Sequence, residues 1–347
     1  MAPHEESPAR SPLTGRTGQL LHRGVRDVCF GIEGRWDLLC DPVDGTCWLD
    51  PMPQPDELPG LYANYATHER RPKKRRSLSK RFKLWCRNVV LASAFHYPLR
   101  PKSLLGRLLA LVPGQRTSAL RSVHWLHGPR RSGRLLDNGC GNGLLLDDLA
   151  AAGWQAAGTE FDPAAVAAAR EAGHEIHTGS LEDAKFPVAH FEAVVMSHVI
   201  EHLPDPLATL RESCRVLEPG GQLVLSTPNL RSLGHRRFGP SWRGLEVPRH
   251  LVLFTPESLA HVVLAAGFEL CEIRTQARTA RWIYCLGRQV EDGGHPLSEV
   301  GENFSGLRKL QGRLFQIRES VLARFQPVGE ELILRAVKPE PVQIDPV

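Results

Sequence analysis

The stretch LLDNGCGNGLLLDDLAAAGWQAAGTEFD, residues 135–162, decides the fold of this 347-residue chain. A short apolar strand is predicted at 134–138, followed by a loop with glycine at alternate positions and a helix at 143–153. A second predicted strand, at 155–160, ends in an acidic residue. This order indicates a βαβ unit, in which the two strands are parallel. Glycine in the turn permits positive φ and lets a ligand approach the backbone closely.

Strands and helices continue to alternate after this unit. The pattern predicts an α/β fold with a doubly wound, mostly parallel, seven-stranded sheet over residues 133–338. Ligands of such sheets bind beyond the carboxyl ends of the strands, which is where the glycine loop would lie. The further predicted helices are 163–173, 206–217 and 255–268, and the further strands are 175–179, 191–197, 221–227, 269–275 and 330–337.

The glycine loop and two acids indicate the ligand. A dinucleotide site favours the spacing G-x-G-x-x-G, whereas this loop reads G-x-G-x-G and follows Asp137, which would sit poorly beside a diphosphate. Asp137 is placed to hold an amine, and Glu160, ending the second strand, is placed to accept the hydroxyls of a ribose. S-adenosylmethionine carries an amino acid at one end and a ribose at the other. We therefore predict it as the cofactor.

Five motifs, in this order and spacing within 133–275, resemble class I S-adenosylmethionine-dependent methyltransferases, the broad group that includes ubiquinone-type O-methyltransferases. The resemblance implies a Rossmann-like transferase. Two positions depart from the family pattern: Glu192 replaces the more frequent aspartate, and Ser180 replaces an acid. The motifs are LLDNGCGNG, GTEFDP, FEAVVMSHVIEHLPDP, RVLEPGGQLVLSTPN and FGPSWRGLEVPRHLVLFTPESLAHVVLAAGF.

The resemblance and the glycine loop together assign the cofactor contacts. The adenine amine is left to Ser180, to the backbone of Leu181 or to Glu182. The expected cofactor-binding residues are Asp137, Gly139, Cys140, Gly141, Gly143, Glu160, Phe161, Ser180, Leu181, Ser197 and His198.

Two histidines are candidates for catalysis. Methyl transfer from a sulfonium is an in-line displacement that the protein mainly aligns, and a hydroxyl nucleophile also benefits from a base. We predict His250, and next His198, in that role; the alternative for His250 is a structural bond to a backbone carbonyl. His198–His202 reads H-x-x-E-H, a spacing of zinc proteases, but it ends a predicted strand in a methyltransferase pattern. No metal is assigned to the site. A divalent ion at this turn remains the alternative, because some quinone-type relatives are thought to use one.

An insert at 228–254 is expected to cover the acceptor. Its arginines and aromatics suit a planar or anionic molecule, and also nucleic-acid bases. Methylation of exocyclic nitrogens in DNA is disfavoured, because the Asn/Asp-Pro-Pro-Tyr/Phe motif is not present after the fourth strand. The predicted function is methyl transfer to an oxygen of a small, in one reading anionic, molecule. The alternatives are an RNA methyltransferase and a membrane- or polyanion-associated cofactor-binding protein without turnover. Predicted acceptor contacts are Arg237, Trp242, Arg249 and His250.

The first third of the chain divides into three predicted parts. Residues 1–19 are predicted to be a polar, proline-rich, disordered lead. At the other end of the chain, residues 339–347 are predicted to form a tail. Residues 20–69 resemble a small zinc-ribbon module of some relatives, but only three cysteines remain where a structural zinc needs four ligands. A metal-free ribbon is therefore favoured over a zinc site at Cys29, Cys40 and Cys47. The eight cysteines of the chain lack a framework spacing, which favours free thiols in a reducing cytosol.

Residues 70–132 form a predicted basic helical arm. From 70 to 136 there are 18 Lys and Arg and no acid, whereas the rest of the chain has 25 Lys and Arg against 38 acids. The run RRPKKRRSLSKRFK is either a solvated linker or a surface for an anionic membrane or another polyanion. No apolar run approaches the ~20 residues that span a bilayer, so a cytoplasmic protein, in one reading peripheral to the membrane, is expected.

Overall fold

The computed structural model describes residues 10–54, 57–62, 78–100, 102–293 and 304–341. Short 3₁₀ turns lie at Ile200–His202, Gly239–Ser241 and Arg243–Leu245. In chain order the elements are β1 (Gln19–Val25), β2 (Trp36–Cys40), β3 (Cys47–Asp50), α1 (Leu58–Leu61), α2 (Leu78–Ala94), α3 (Leu104–Leu111), α4 (Pro113–Arg121), β4 (Arg134–Asn138), α5 (Leu144–Ala150), β5 (Gln155–Glu160), α6 (Pro163–Glu171), β6 (Glu175–Thr178), β7 (Phe191–Ser197), α7 (Pro206–Val216), β8 (Leu217–Pro228), α8 (Leu233–Phe238), β9 (Val252–Leu253), α9 (Pro256–Ala265), β10 (Glu269–Gln276), α10 (Ala280–Gly293), α11 (Gly306–Leu322) and β11 (Glu331–Val337).

A seven-stranded sheet forms the centre of the molecule, in the order β10-β11-β8-β7-β4-β5-β6. The pairs from β8 to β6 are parallel, and β11 runs antiparallel to both of its neighbours. This arrangement confirms the predicted fold class. The strands 134–138, 155–160 and 191–197 have the predicted bounds.

Local sequence explains where the helices on this sheet begin. Asp162, Asp205 and Thr255 each cap a helix by accepting a backbone N–H with the side chain, and each is followed by proline at the first helical position. Such caps satisfy N–H groups that have no partner within the helix. The caps end the preceding loops close to the carboxyl edge of the sheet, so they also position those loops.

Helices α2, α3 and α4 cover one face of the sheet. Val90, Leu91 and Phe95 share a buried core with Val195 and Ile333 of the sheet. The predicted arm is therefore a layer of the sheet domain for the residues that the structure describes. The densest part of its basic run, residues 70–77, lies outside them.

A second, smaller sheet joins the N-terminal module to the insert. Its order is β1-β2-β3-β9, with Cys47 opposite Leu253 and Trp48 opposite Val252. The N-terminal module (20–69) and the insert (228–254) are far apart in the sequence, but in the structure they form one lobe. Its shared core contains Val25, Leu38 and Leu49 from the module and Phe238, Trp242, Leu245 and Leu253 from the insert.

Two expectations for the N-terminal residues are corrected. Cys40 and Cys47 lie opposite each other on β2 and β3 and form a disulfide, so these two are not free thiols. The predicted disordered lead is ordered over residues 10–19, because Thr14 and Arg16 both bind the buried carboxylate of Asp41. Residues 1–9 lie outside the described part of the chain.

Candidate functional site

The glycine loop after β4 is hydrogen-bonded to β5 on one side, and at Gly141 it borders open space. Gly139, Gly141 and Gly143 have φ of 75°, 53° and 78°. The N–H groups of Gly139 and Cys140 donate to Thr159 O on β5, at 2.9 and 3.0 Å. A Cβ at Gly139 would lie 2.5 Å from Val199 Cγ2, whereas a Cβ at Gly141 would have no atom of the described residues within 4 Å. The open space above Gly141 gives a ligand direct access to the backbone.

Glu160, at the end of β5, faces the same space with a fixed carboxylate. Its Oε2 accepts the Gly141 N–H at 2.8 Å, and its Oε1 accepts the N–H groups of Phe161 and Asp162 at 2.9 and 3.0 Å. A carboxylate offers about four lone-pair positions, so capacity remains for a hydroxyl donor. The geometry fits the predicted ribose contact.

Asp137, at the end of β4, is buried, and its Oδ1 has no hydrogen-bond partner among the residues described. Burial and the charge of nearby Glu160 raise the pKa of Asp137 to about 8. A buried acceptor without a partner costs free energy, which an incoming ammonium group would relieve. Asp137 and Glu160 together therefore fit a ligand with an amine and a ribose.

The loop after β6 reduces the choice for the adenine. Glu182 Oε1 accepts a hydrogen bond from Thr209 Oγ1 at 2.7 Å, so its carboxylate is held against α7. The Ser180 hydroxyl donates to Asp183 at 2.7 Å, and Leu181 is buried in the main core. Ser180 and Leu181 remain the adenine candidates, and Asp183 supplies an acid that the sequence reading did not include.

His198 begins the turn after β7. The next residue, Val199, lies against Gly139 of the glycine loop. Its Nδ1 lies 3.1 Å from Glu201 Oε1 and its Nε2 lies 3.0 Å from Glu331 Oε1. Desolvation lowers the pKa of His198, but these two carboxylates outweigh it and hold the pKa well above its usual range. A protonated imidazole cannot accept a proton, which argues against the predicted role of His198 as a base.

Glu201, His202 and His250 form a cluster whose side-chain ligand atoms all lie within 4.8 Å of one another. His202 Nδ1 is 3.0 Å from Arg249 O, and His250 Nδ1 is 2.8 Å from Gly244 O. Because a carbonyl only accepts, both Nδ1 atoms carry a hydrogen, and in a neutral ring this leaves the lone pair on Nε2. Burial lowers the pKa of His250 to about 4, so this ring is neutral at neutral pH. The cluster suits either a proton acceptor or a divalent ion.

Tyr62 connects the N-terminal lobe to this site. Its ring packs edge-to-face on Phe161 with centroids 5.1 Å apart, and its hydroxyl lies 2.9 Å from His202 Nδ1. Leu61 O accepts a hydrogen bond from Arg249 at 3.2 Å. Residues 61–62 thus lie between the cofactor side and the histidine cluster. Sequence reasoning missed Tyr62, because no local pattern ties it to Phe161 and His202, which are 99 and 140 positions away.

Three predicted acceptor residues lie elsewhere. Trp242 is buried and its Nε1 donates to Glu330 at 2.8 Å. Arg249 is buried with its guanidinium 3.6 Å from the Phe30 ring centroid. Arg237 is paired with Glu291 at the surface. These three side chains are engaged in contacts within the protein. We therefore do not assign them to the acceptor.

A cavity of about 310 Å³ opens at the carboxyl ends of β7 and β8. Because β10 runs parallel to β8, its last residue reaches the same edge and also lines the cavity. Arg121 Nε and Gln276 Oε1 are buried there without a hydrogen-bond partner in the described ranges. Polar atoms of this kind indicate space for a polar ligand. The lining includes Ser197, His198, Ser226, Arg121, Gln276 and Arg278.

Comparisons with known proteins identify the domain. A family model described as a methyltransferase domain matches residues 79–273, more than half of the chain. The ubiquinone biosynthesis O-methyltransferase of Aromatoleum aromaticum is 28% identical over 172 residues, covering 46% of this chain and 74% of that protein. The protein of the same name from Xanthomonas axonopodis pv. citri is 30% identical over 179 residues, covering 49% and 68%. The crystal structure of a SAM-dependent methyltransferase from Archaeoglobus fulgidus is 19% identical, with a TM-score of 0.43 and coverage of 66% and 94%.

Proposed function

The chain belongs to the methyltransferase-domain family and is an S-adenosylmethionine-dependent methyltransferase, and from this premise we propose that it methylates an oxygen atom of a small anionic molecule. The observation that carries the proposal is the cavity beside the turn after β7, with two guanidinium groups, His198 and its carboxylate partner Glu331 in its wall. The two relatives described above are named as O-methyltransferases, which supports oxygen as the target. Family membership favours this enzyme over a cofactor-binding protein without turnover.

The cofactor half of the site is proposed to work through three features. The backbone from Gly139 to Gly143 lies under the methionine part, Glu160 accepts from the ribose, and Asp137 holds the α-ammonium. When bound, the cofactor supplies a methyl group activated on a positively charged sulfur. The chain then has to hold the acceptor oxygen in line with that carbon and keep water out.

Cofactor binding at pH 7 is expected to release about 0.9 proton, because a carboxyl with a pKa near 8 is mostly protonated at that pH and an ammonium partner favours its ionised form. Affinity should accordingly rise with pH and level off above pH 8. Isothermal calorimetry in two buffers of different ionisation enthalpy measures the proton count. In Asp137→Asn the release should disappear and the affinity should fall at least about tenfold. An unchanged proton count in the variant would remove Asp137 from this role.

The acceptor half is proposed to bind an anionic group through Arg121 and Arg278. Guanidinium groups pair with carboxylates and phosphates, and the unpartnered Arg121 Nε needs an acceptor. The charge of His198 is balanced by Glu201 and Glu331, so the positive potential is proposed to come from the two arginines, and it lowers the pKa of an acceptor hydroxyl held nearby. His250, a neutral ring in the neighbouring Glu201–His202–His250 cluster rather than in the cavity lining, is proposed as the proton acceptor.

Replacing Arg278 by glutamine is expected to raise KM for an anionic acceptor about tenfold or more, while kcat stays within about twofold, because the lost interaction binds ground state and transition state alike. The assay compares labelled-methyl transfer to hydroxybenzoates and hydroxycinnamates with transfer to the corresponding neutral phenols. Arg211→Gln, on the exposed surface of α7, is the matched control. Equal KM values for the Arg278 variant and wild type, or a preference for neutral phenols, would contradict an anionic acceptor.

A further inference from the structure

Helices α2 and α3 carry a ridge of exposed apolar side chains. The two helices pack closely, since a Cβ at Gly106 of α3 would lie 2.5 Å from Val89 O of α2. The C-terminal half of α2 is buried against the sheet domain through Val90 and Leu91, so the ridge is firmly attached. Its members are between 40% and 80% exposed and include a stacked aromatic pair: Leu78, Phe82, Trp85, Leu104, Leu105, Leu108, Leu111 and Val112.

Basic residues surround this ridge, and the sequence from 70 to 136 contains no acid to neutralise them. Arg81 and Lys83 on α2, Arg107 on α3 and Lys102 in the loop before α3 are all exposed. A soluble surface seldom combines a large apolar patch with charges of one sign. An apolar face of Leu, Phe and Trp beside Lys and Arg is typical of helices that lie in a membrane interface.

A groove next to the ridge extends this pattern. A cavity of about 340 Å³ lies where α3 meets α4, lined by Leu111, Arg116 and Arg274. Leu111 is shared with the apolar ridge, and Arg116 and Arg274 bring guanidinium groups to the cavity, that of Arg274 paired with Glu272. An anionic phospholipid has the same two-part chemistry, an acyl chain below a phosphate.

We propose that α2 and α3 dock the protein on an anionic phospholipid bilayer, with the ridge in the outer acyl region and the basic residues on the phosphates. Charge complementarity selects this partner. A second copy of the chain would bring like charges together, and a nucleic acid would leave the aliphatic side chains without apolar contacts. Among the residues described, no helix has both the length and the apolar character to cross a bilayer. The docking is therefore in-plane, and it stands independently of the proposed acceptor.

The test measures retention of the full chain on sedimenting vesicles of phosphatidylcholine alone and of phosphatidylcholine with about one third phosphatidylglycerol. Retention is expected on the anionic vesicles only, and it should weaken several-fold between about 50 and about 500 mM salt. Leu104→Gln/Leu108→Gln/Leu111→Gln should reduce it at least about tenfold, since glutamine keeps helix propensity and removes apolar surface. Cofactor affinity of this variant reports that it is folded.

The control is Leu307→Gln/Leu310→Gln/Leu314→Gln on α11, whose leucines are similarly exposed. It should bind the anionic vesicles like wild type. Three results overturn the proposal: no retention on anionic vesicles, retention lost in the α11 variant but kept in the α3 variant, or equal retention on neutral vesicles. Tighter binding to a single-stranded RNA, unaffected by the three α3 substitutions, would also overturn it and identify a nucleic-acid surface.

Discussion

Glu160→Ala is expected to weaken S-adenosylmethionine binding by about a hundredfold or more. The carboxylate fixes three backbone N–H groups, those of Gly141, Phe161 and Asp162. It also remains able to accept from the ribose. A hydrogen bond to a charged group is worth about 1.5–3 kcal/mol, so losing one at the ribose, together with the loop order that the three N–H bonds maintain, gives this factor. Calorimetric titration of the purified variant measures the effect.

The matched control for this substitution is Glu182→Ala. Glu182 follows β6 at the same edge of the sheet, but its carboxylate binds Thr209 on α7. Its removal should leave cofactor affinity within about twofold of wild type. Thermal unfolding of both variants separates a lost ribose contact from a lost loop. If both variants bind the cofactor as wild type does, Glu160 does not hold the ribose.

His250→Asn is expected to lower kcat about a hundredfold or more while cofactor affinity stays within about twofold. The asparagine amide can replace Nδ1–H as donor to Gly244 O and so keep the loop in place, but it has no counterpart of Nε2. A lower kcat in this variant is therefore caused by the missing Nε2 and not by a displaced loop. Single-turnover methyl transfer, with cofactor binding measured in parallel, separates the two effects.

Dialysis against EDTA completes the His250 test. The proposal assigns proton transfer to His250 and no metal to the cluster, so wild-type turnover should survive dialysis unchanged. Turnover that is lost on dialysis and restored by a divalent cation would instead make Glu201, His202 and His250 a metal site. Unchanged turnover in His250→Asn would leave the ring with its structural bond to Gly244 alone.

The central sheet was predictable from the sequence because its signals are local. Strands 134–138, 155–160 and 191–197 are short apolar runs bounded by glycine, acids or proline, and their order determines which edge carries the ligand. The same logic placed Asp137, the glycine loop and Glu160 together. Each is defined by its position at the end of its own strand, without knowledge of distant contacts.

Contacts between distant segments were not predictable in this way. The pairing of β3 with β9 joins Cys47 to Leu253 through a strand of two residues, which has no periodicity of its own. The acceptor cavity collects Arg121, Gln276 and Arg278 from separate parts of the chain. The helices α10 and α11, between β10 and β11, were also missed.

The prediction that the arginines of the insert contact the acceptor rested on their charge alone, and for Arg249 it was not supported. Exposed and buried arginines look alike in a sequence, and Arg249 was predicted to face an acceptor. In the structure Glu246 lies 3.1 Å from its Nε, and the Phe30 ring lies against its guanidinium. These partners make its burial tolerable, and they come from residues that no local pattern connects.

The most direct test is a crystal structure of the chain with S-adenosylhomocysteine, the demethylated cofactor. The product should lie on the turn after β4, with a ribose hydroxyl within hydrogen-bonding distance of the Glu160 carboxylate and the α-ammonium on Asp137. A nucleoside found away from the glycine loop, or neither carboxylate in contact with it, would contradict the assignment on which the proposed chemistry depends.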